Sequence, residues 1–180
     1  MNLRLFVVVL LAVAVPAFAV APQAQLLSPL TPAEATSLKG DLQSWVSRAK
    51  STFRTVALSE ASPRGAISRE YAATQIELAK LHFEQAQVLE TGLERVDFNN
   101  AVISGNFLLF DILIGMATEL DEIVETFMLI QLAGGSWTLS ESTTDSCTAL
   151  TSDFVGIRKR LKSYILDLSL QADRKLGAIK

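Results

Sequence analysis

The stretch GNFLLFDILIGM, Gly105 to Met116, constrains this chain most, because it is the most apolar interior run and holds one acid, Asp111, at its middle. Steps of three, four or seven residues from Asp111 reach Thr118, Glu122 and Glu125 in one direction. In the other they reach Ser104, Asn100 and Asp97. On a helix turning about 100° per residue these positions share one line, with Leu108 and Gly115 as its other occupants. From Ala101 to Leu132, twenty of thirty-two residues are apolar, so the rest of the circumference is apolar. Asn106, Asp111 and the acids that follow argue against a membrane span. The pattern predicts one continuous helix over 96–133, packed among neighbours on most sides and showing water only a narrow polar stripe. Gly134-Gly135 closes it.

The flanking segments carry helical signals too. In TPAE, Thr31 reads as an N-cap, Pro32 as the first helical residue and Glu34 as the capping-box acid. Leu38, Leu42, Trp45, Ala49, Phe53 and Val56 follow at steps of three and four. SEASPRG ends that helix. A second helix is expected over 68–91, with Gly92 as its stop. Its apolar ladder is Ala72, Ile76, Ala79, Phe83 and Ala86, widened by Leu78, Leu81 and Val88. SWTLSESTTDSCTALTS, rich in hydroxyl residues, reads as a loop whose Ser142–Asp145 stretch caps the last helix. That helix shows a seam with a seven-residue repeat, formed by Leu150, Phe154, Ile157, Leu161, Tyr164 and Leu168. No segment alternates as a strand would. The expected fold is all-α, an antiparallel bundle of four to five amphipathic helices.

The first residues read as a secretory signal. MNLR is basic, LFVVVLLAVAV is apolar but too short for a bilayer, and PAFAVA supplies small residues at a cleavage spacing. Cleavage is placed after Ala19, with Ala21 as the alternative, and an uncleaved anchor as the competing reading. The expected organisation is a signal over 1–19, an extended lead over 20–30 and a helical domain over 31–180. Without Arg4, fifteen bases face nineteen acids, a balance that excludes nucleic acid as a general partner. The single cysteine, Cys147, cannot form an internal disulfide. It is either a buried small residue or the site of an intermolecular disulfide, which leaves monomer and homodimer open.

The chemistry of common enzymes is missing. The one histidine, His82, lacks the company a zinc site needs, and no Glu-x-x-His pair marks a di-iron bundle. Glu119, Asp121, Glu122 and Glu125 lack the turned loop of a calcium site and read as a solvated helix face. GGSW is not a nucleophile elbow, and no glycine-rich phosphate loop occurs. No catalytic, cofactor-binding or metal residue is assigned, and no cofactor is expected.

What remains is the apolar surface of the middle helix, more than a small bundle readily covers. Each leucine-sized side chain buried contributes about 1.5–3 kcal/mol. Phe107, Phe110, Leu113, Met116, Phe127 and Met128 are the candidate hydrophobic-binding residues. Their partner is a hydrophobic surface, a lipid or a small apolar ligand held between helices; a structural or interaction module is the further alternative. Charge is segregated: nine acids and one arginine lie between Glu84 and Glu125, and seven bases and two acids between Phe154 and Lys180. These faces either pair across helices or stay solvated, or GIRKRLKSYILDL is a basic amphipathic helix for anionic lipid or cell-wall polysaccharide.

DSCTALTSDFVGIRKRLKSYILDL, in its spacing of Leu, Phe and Ile, resembles the last helical stretch of the fungal hydrophobic-surface-binding protein A family, which is related to cell-wall galactomannoproteins. With the signal and the successive amphipathic helices, the likeness spans about residues 24–176. Cys147 and the two tryptophans depart from that pattern. The resemblance implies a secreted, extracellular, non-enzymatic protein that adsorbs to hydrophobic surfaces or sits in the wall, and it carries no site residues.

Overall fold

The computed structural model describes residues 30–64, 66–96, 98 and 103–177, and omits the side chains of 66–68, 103–108, 167, 168 and 171–177. The signal and nearly all of the extended lead lie outside the described residues. The chain is all-α, with α1 (Pro32–Ala57), α2 (Ala66–Arg95), α3 (Ile103–Leu132) and α4 (Glu141–Gly177). Two two-residue strands, β1 (Ala61–Ser62) and β2 (Ser136–Trp137), pair antiparallel. α1 packs on α2 and α4, and α3 packs on the same two helices, so each helix lies beside its neighbours in sequence. No described helix is long and apolar enough to cross a membrane.

Contacts across the seams show the directions. Lys39, early in α1, donates to Val96 O (2.7 Å) just past the end of α2, while Phe53, late in α1, meets the His82 ring at 5.2 Å. Arg160 binds Asp41 and Trp45 Nε1 donates to Leu150 O (2.9 Å). Gly115 lies beside His82, and Gln75 Nε2 donates to Glu122 (3.1 Å). Each of these three pairs of helices therefore runs antiparallel.

Local chemistry sets the helix ends. At α1 the capping box forms: Thr31 N–H donates to Glu34 Oε2 (2.7 Å) and Glu34 N–H to Thr31 Oγ1 (3.3 Å). The Thr31 N–H, and then the Thr31 hydroxyl that donates to the same oxygen (2.8 Å), hold the Glu34 carboxyl below its ordinary pKa. α2 runs past the expected stop at Gly92 to Arg95. Leu93 is buried there, and the Lys39 ammonium donates to the carbonyls of Glu94 and Val96 at the helix end. Val96 and Phe98, within the helix expected over 96–133, are not helical, the described α3 starts at Ile103, and 97 and 99–102 lie outside the described residues. Phe98, in the connection, is buried and stacks on Tyr164 at 5.0 Å, whose hydroxyl donates to Phe98 O. α3 ends in a Schellman turn. Gly134 has φ +73°, its N–H donates to Gln131 O, and the Gly135 N–H donates to Ile130 O (both 2.9 Å).

The hydroxyl-rich segment corrects the expected loop, because it is helical from Glu141 onward. Ser140 caps it, accepting from Thr143 N–H (3.3 Å). Thr144, Ser146, Thr148 and Thr151 turn their hydroxyls back onto carbonyls three or four residues earlier. Leu150, Phe154, Ile157, Leu161 and Tyr164 of the expected seam are buried and Cys147 extends it by one member, while the Leu168 side chain lies outside the described residues. The strands, which no alternation announces, tie the α1–α2 connection to the α3–α4 turn. Trp137 Nε1 donates to Ser59 Oγ (2.7 Å) and Thr138 N–H to Glu60 O (2.9 Å).

Candidate functional site

The described part of the polar stripe on α3 faces water: Asp111, Thr118, Glu122 and Glu125 are all exposed. Asp97 and Asn100 lie outside the described residues, as does the side chain of Ser104. On the opposite side Leu113, Met116, Leu120 and Ile123 are wholly buried. This alternation lets a very apolar helix sit in a bundle.

The stripe changes character at its end. The same steps carried past Glu125 reach Leu129 and Leu132, which are 55% and 85% exposed, with Met128 beside them at 56%. At the same end of the bundle, α1 finishes next to Leu58, 75% exposed, and Tyr71 stands exposed early in α2. Single exposed apolar residues are ordinary, but several at one end of a molecule mark a contact surface. The turn beneath is built tightly. A Cβ on Gly135 would lie 2.9 Å from Pro63 Cα and 2.9 Å from Ile130 Cγ2, so the strand connection seats directly against the end of α3.

The six candidate residues fall in different places. Met128 is on this exposed end. Phe110 is half-buried against the core, while Leu113, Met116 and Phe127 are within it. The Phe107 side chain lies outside the described residues. Cys147 is fully buried by its own chain, and burial pushes its thiol up to about 12. Leu81 and Val88, expected to widen the buried face of α2, are exposed. The buried line instead runs through Ala72, Gln75, Ala79, Ala86, Leu89 and Leu93.

A polar seam lies between α2 and α3. Gly115 is 3.7 Å, measured from an added Cβ, from the His82 ring, and Glu122 accepts from Gln75. Helical spacing puts Glu119 between these two contacts. Glu119 is only 4% exposed, which corrects its reading as part of a solvated face; Asp121, Glu122 and Glu125 keep that place. Burial, and then the nearby Glu122 charge, push its carboxyl up to about 8, so it is mainly protonated at neutral pH. Its Oε1 and Gln75 Oε1 have no hydrogen-bond partner. His82 Nδ1 and Gln85 Oε1 are 2.8 Å apart, and burial lowers the imidazole pKa. Among the described residues no three His, Cys, Asp or Glu side chains gather as a metal would require.

The described surface includes two open grooves. One, of about 330 Å3, runs between α1 and α4 past Ser44, Gly156 and Ile157. Its charges satisfy each other, through Arg48–Asp153 (2.8 Å) and Arg160–Asp41. The other, of about 430 Å3, lies along Gln87, Val88, Gly92 and Arg95 on α2 alone. Comparisons of the chain with protein-family models, with curated proteins and with solved structures find no match.

Proposed function

We propose that this is a secreted, non-enzymatic helical protein that adsorbs to hydrophobic surfaces, whether lipid or apolar cell-wall material. The observation that carries the reading is the passage of the water-facing line on α3 from Asp111, Thr118 and Glu125 to Leu129 and Leu132, with Met128 and Leu58 at the same end. A face that only had to be solvated would stay polar. The resemblance of the last helical stretch to the hydrophobic-surface-binding protein A family agrees with it, and a cleaved signal over 1–19 would deliver it outside the cell.

Magnitudes decide how adsorption starts. Covering four partly exposed side chains of this size contributes roughly 5 kcal/mol. Opening a whole domain costs about 5–15 kcal/mol. The exposed end therefore acts first, with the bundle closed. Leu113, Met116 and Phe127 take part only on a surface wide enough to offset the loss of the core.

The test is depletion of the protein from dilute solution by hydrophobic beads, with circular dichroism of the adsorbed fraction. Depletion with helicity retained supports the reading. Protein left in solution at low salt argues for a module with no such partner.

A further inference from the structure

α4 carries a second outward face with a different chemistry. Val155, Arg158, Lys159, Lys162 and Leu166 are all exposed and fall within an arc of about 100° on the side away from Phe154, Ile157, Leu161 and Tyr164. Leu170, also exposed, continues the line. Among the described residues the side chains of Arg158, Lys159 and Lys162 have no ion-pair or hydrogen-bond partner, whereas the Arg160 side chain, off this arc, is held by Asp41 and Ser37. Between Thr148 and Leu166 the only acid is Asp153, and it faces α1, bound to Arg48. The bases therefore do not neutralise the acid-rich α2 and α3 of their own molecule.

α4 is also the longest of the described helices, at 37 residues. From the meeting of Arg160 with Ser37 and Asp41, it passes the first residue of α1 with about ten residues still to run, on the order of 15 Å.

We propose that this face docks on an anionic lipid bilayer, lying in the headgroup plane with Lys159, Lys162 and Arg158 among the lipid phosphates and Val155, Leu166 and Leu170 dipping below them. A soluble polyanion would reward the bases but not the apolar residues between them. A neutral apolar surface would reward the reverse. The combination of both along one helix line fits an interface that is charged above and greasy beneath. The inference narrows the lipid arm of the adsorption reading, but it uses a different face from the Met128 end.

The experiment is vesicle co-sedimentation with neutral phosphatidylcholine and with vesicles containing about one-third phosphatidylserine. The intact protein sediments with the anionic vesicles and is released by about 0.5 M salt. The triple variant Arg158→Glu, Lys159→Glu, Lys162→Glu keeps its helicity, since those side chains have no partner to lose. It binds at least a hundredfold more weakly, at about fivefold per base. It still depletes onto hydrophobic beads, which separates this inference from the general adsorption reading. Equal binding to both vesicle types, or anionic binding unchanged in the triple variant, overturns the inference. So does salt-sensitive self-association in place of vesicle binding, which would assign the bases to the acidic helices of a second copy.

Discussion

Glu119 is the residue whose environment departs furthest from its chemistry. A carboxyl buried beside Glu122 with an unpaired oxygen is tolerable only while it holds its proton. Its folded pKa, about 8, lies above the ordinary 4.5. The unfolded chain therefore loses this proton first as pH rises, and the folded state loses stability between about pH 4.5 and 8. The contribution is fully present below that window and gone above it. Replacing Glu119→Gln removes the slope. The difference between variant and parent in urea midpoint stability should grow from pH 5 to pH 8, to on the order of 3 kcal/mol in favour of the variant. A constant difference across that range would show that Glu119 is ionised in the fold. The burial of Glu119 was hidden in the sequence by its company, since the acids at 121, 122 and 125 are exposed. The usable signal was angular: position 119 lies about 100° off the line of 111, 118 and 125, on the flank of Met116 and Ile123.

Between helices, the connections decide how well the elements were legible. α1 was plain from end to end, because Thr31, Pro32 and Glu34 name its start and six apolar residues at helical steps name its face. Thr31→Ala should cost about 1 kcal/mol of stability, read as a fall in thermal midpoint; no change would mean that the first turn frays anyway. α4 was legible only from Leu150, since serine and threonine favour turns as readily as they back-bond within a helix. α2 overran Gly92 because Leu93 packs and Lys39 caps, and both come from tertiary structure that spacing does not show. The α3–α4 turn was marked by Gly134-Gly135, but not the strand pair it feeds. Gly135→Ala forces a Cβ against Pro63 backbone and should cost about 1–3 kcal/mol. Gly92→Ala, in open space within α2, should gain up to about 1 kcal/mol. Parallel denaturation of the two variants checks the contrast, and equal effects would contradict the tight turn.

At the scale of the molecule, the four described helices share one core, and among the described residues two outward faces are unlike a purely solvated surface. One is apolar, at the end where α1 and α3 finish; the other is basic and apolar, along α4. The existence of a mostly buried α3 was readable from its thin stripe. The apolar end was reachable by the same count, two steps past Glu125, but composition drew attention to the middle of the helix, which the neighbouring helices cover. The most direct measurement is an adsorption isotherm on hydrophobic beads for the parent and for Leu129→Lys/Leu132→Lys, at matched helicity. With both side chains outside the core, the account predicts a folded variant whose affinity falls about thirtyfold. Superimposable isotherms would contradict it and move the contact surface elsewhere on the protein.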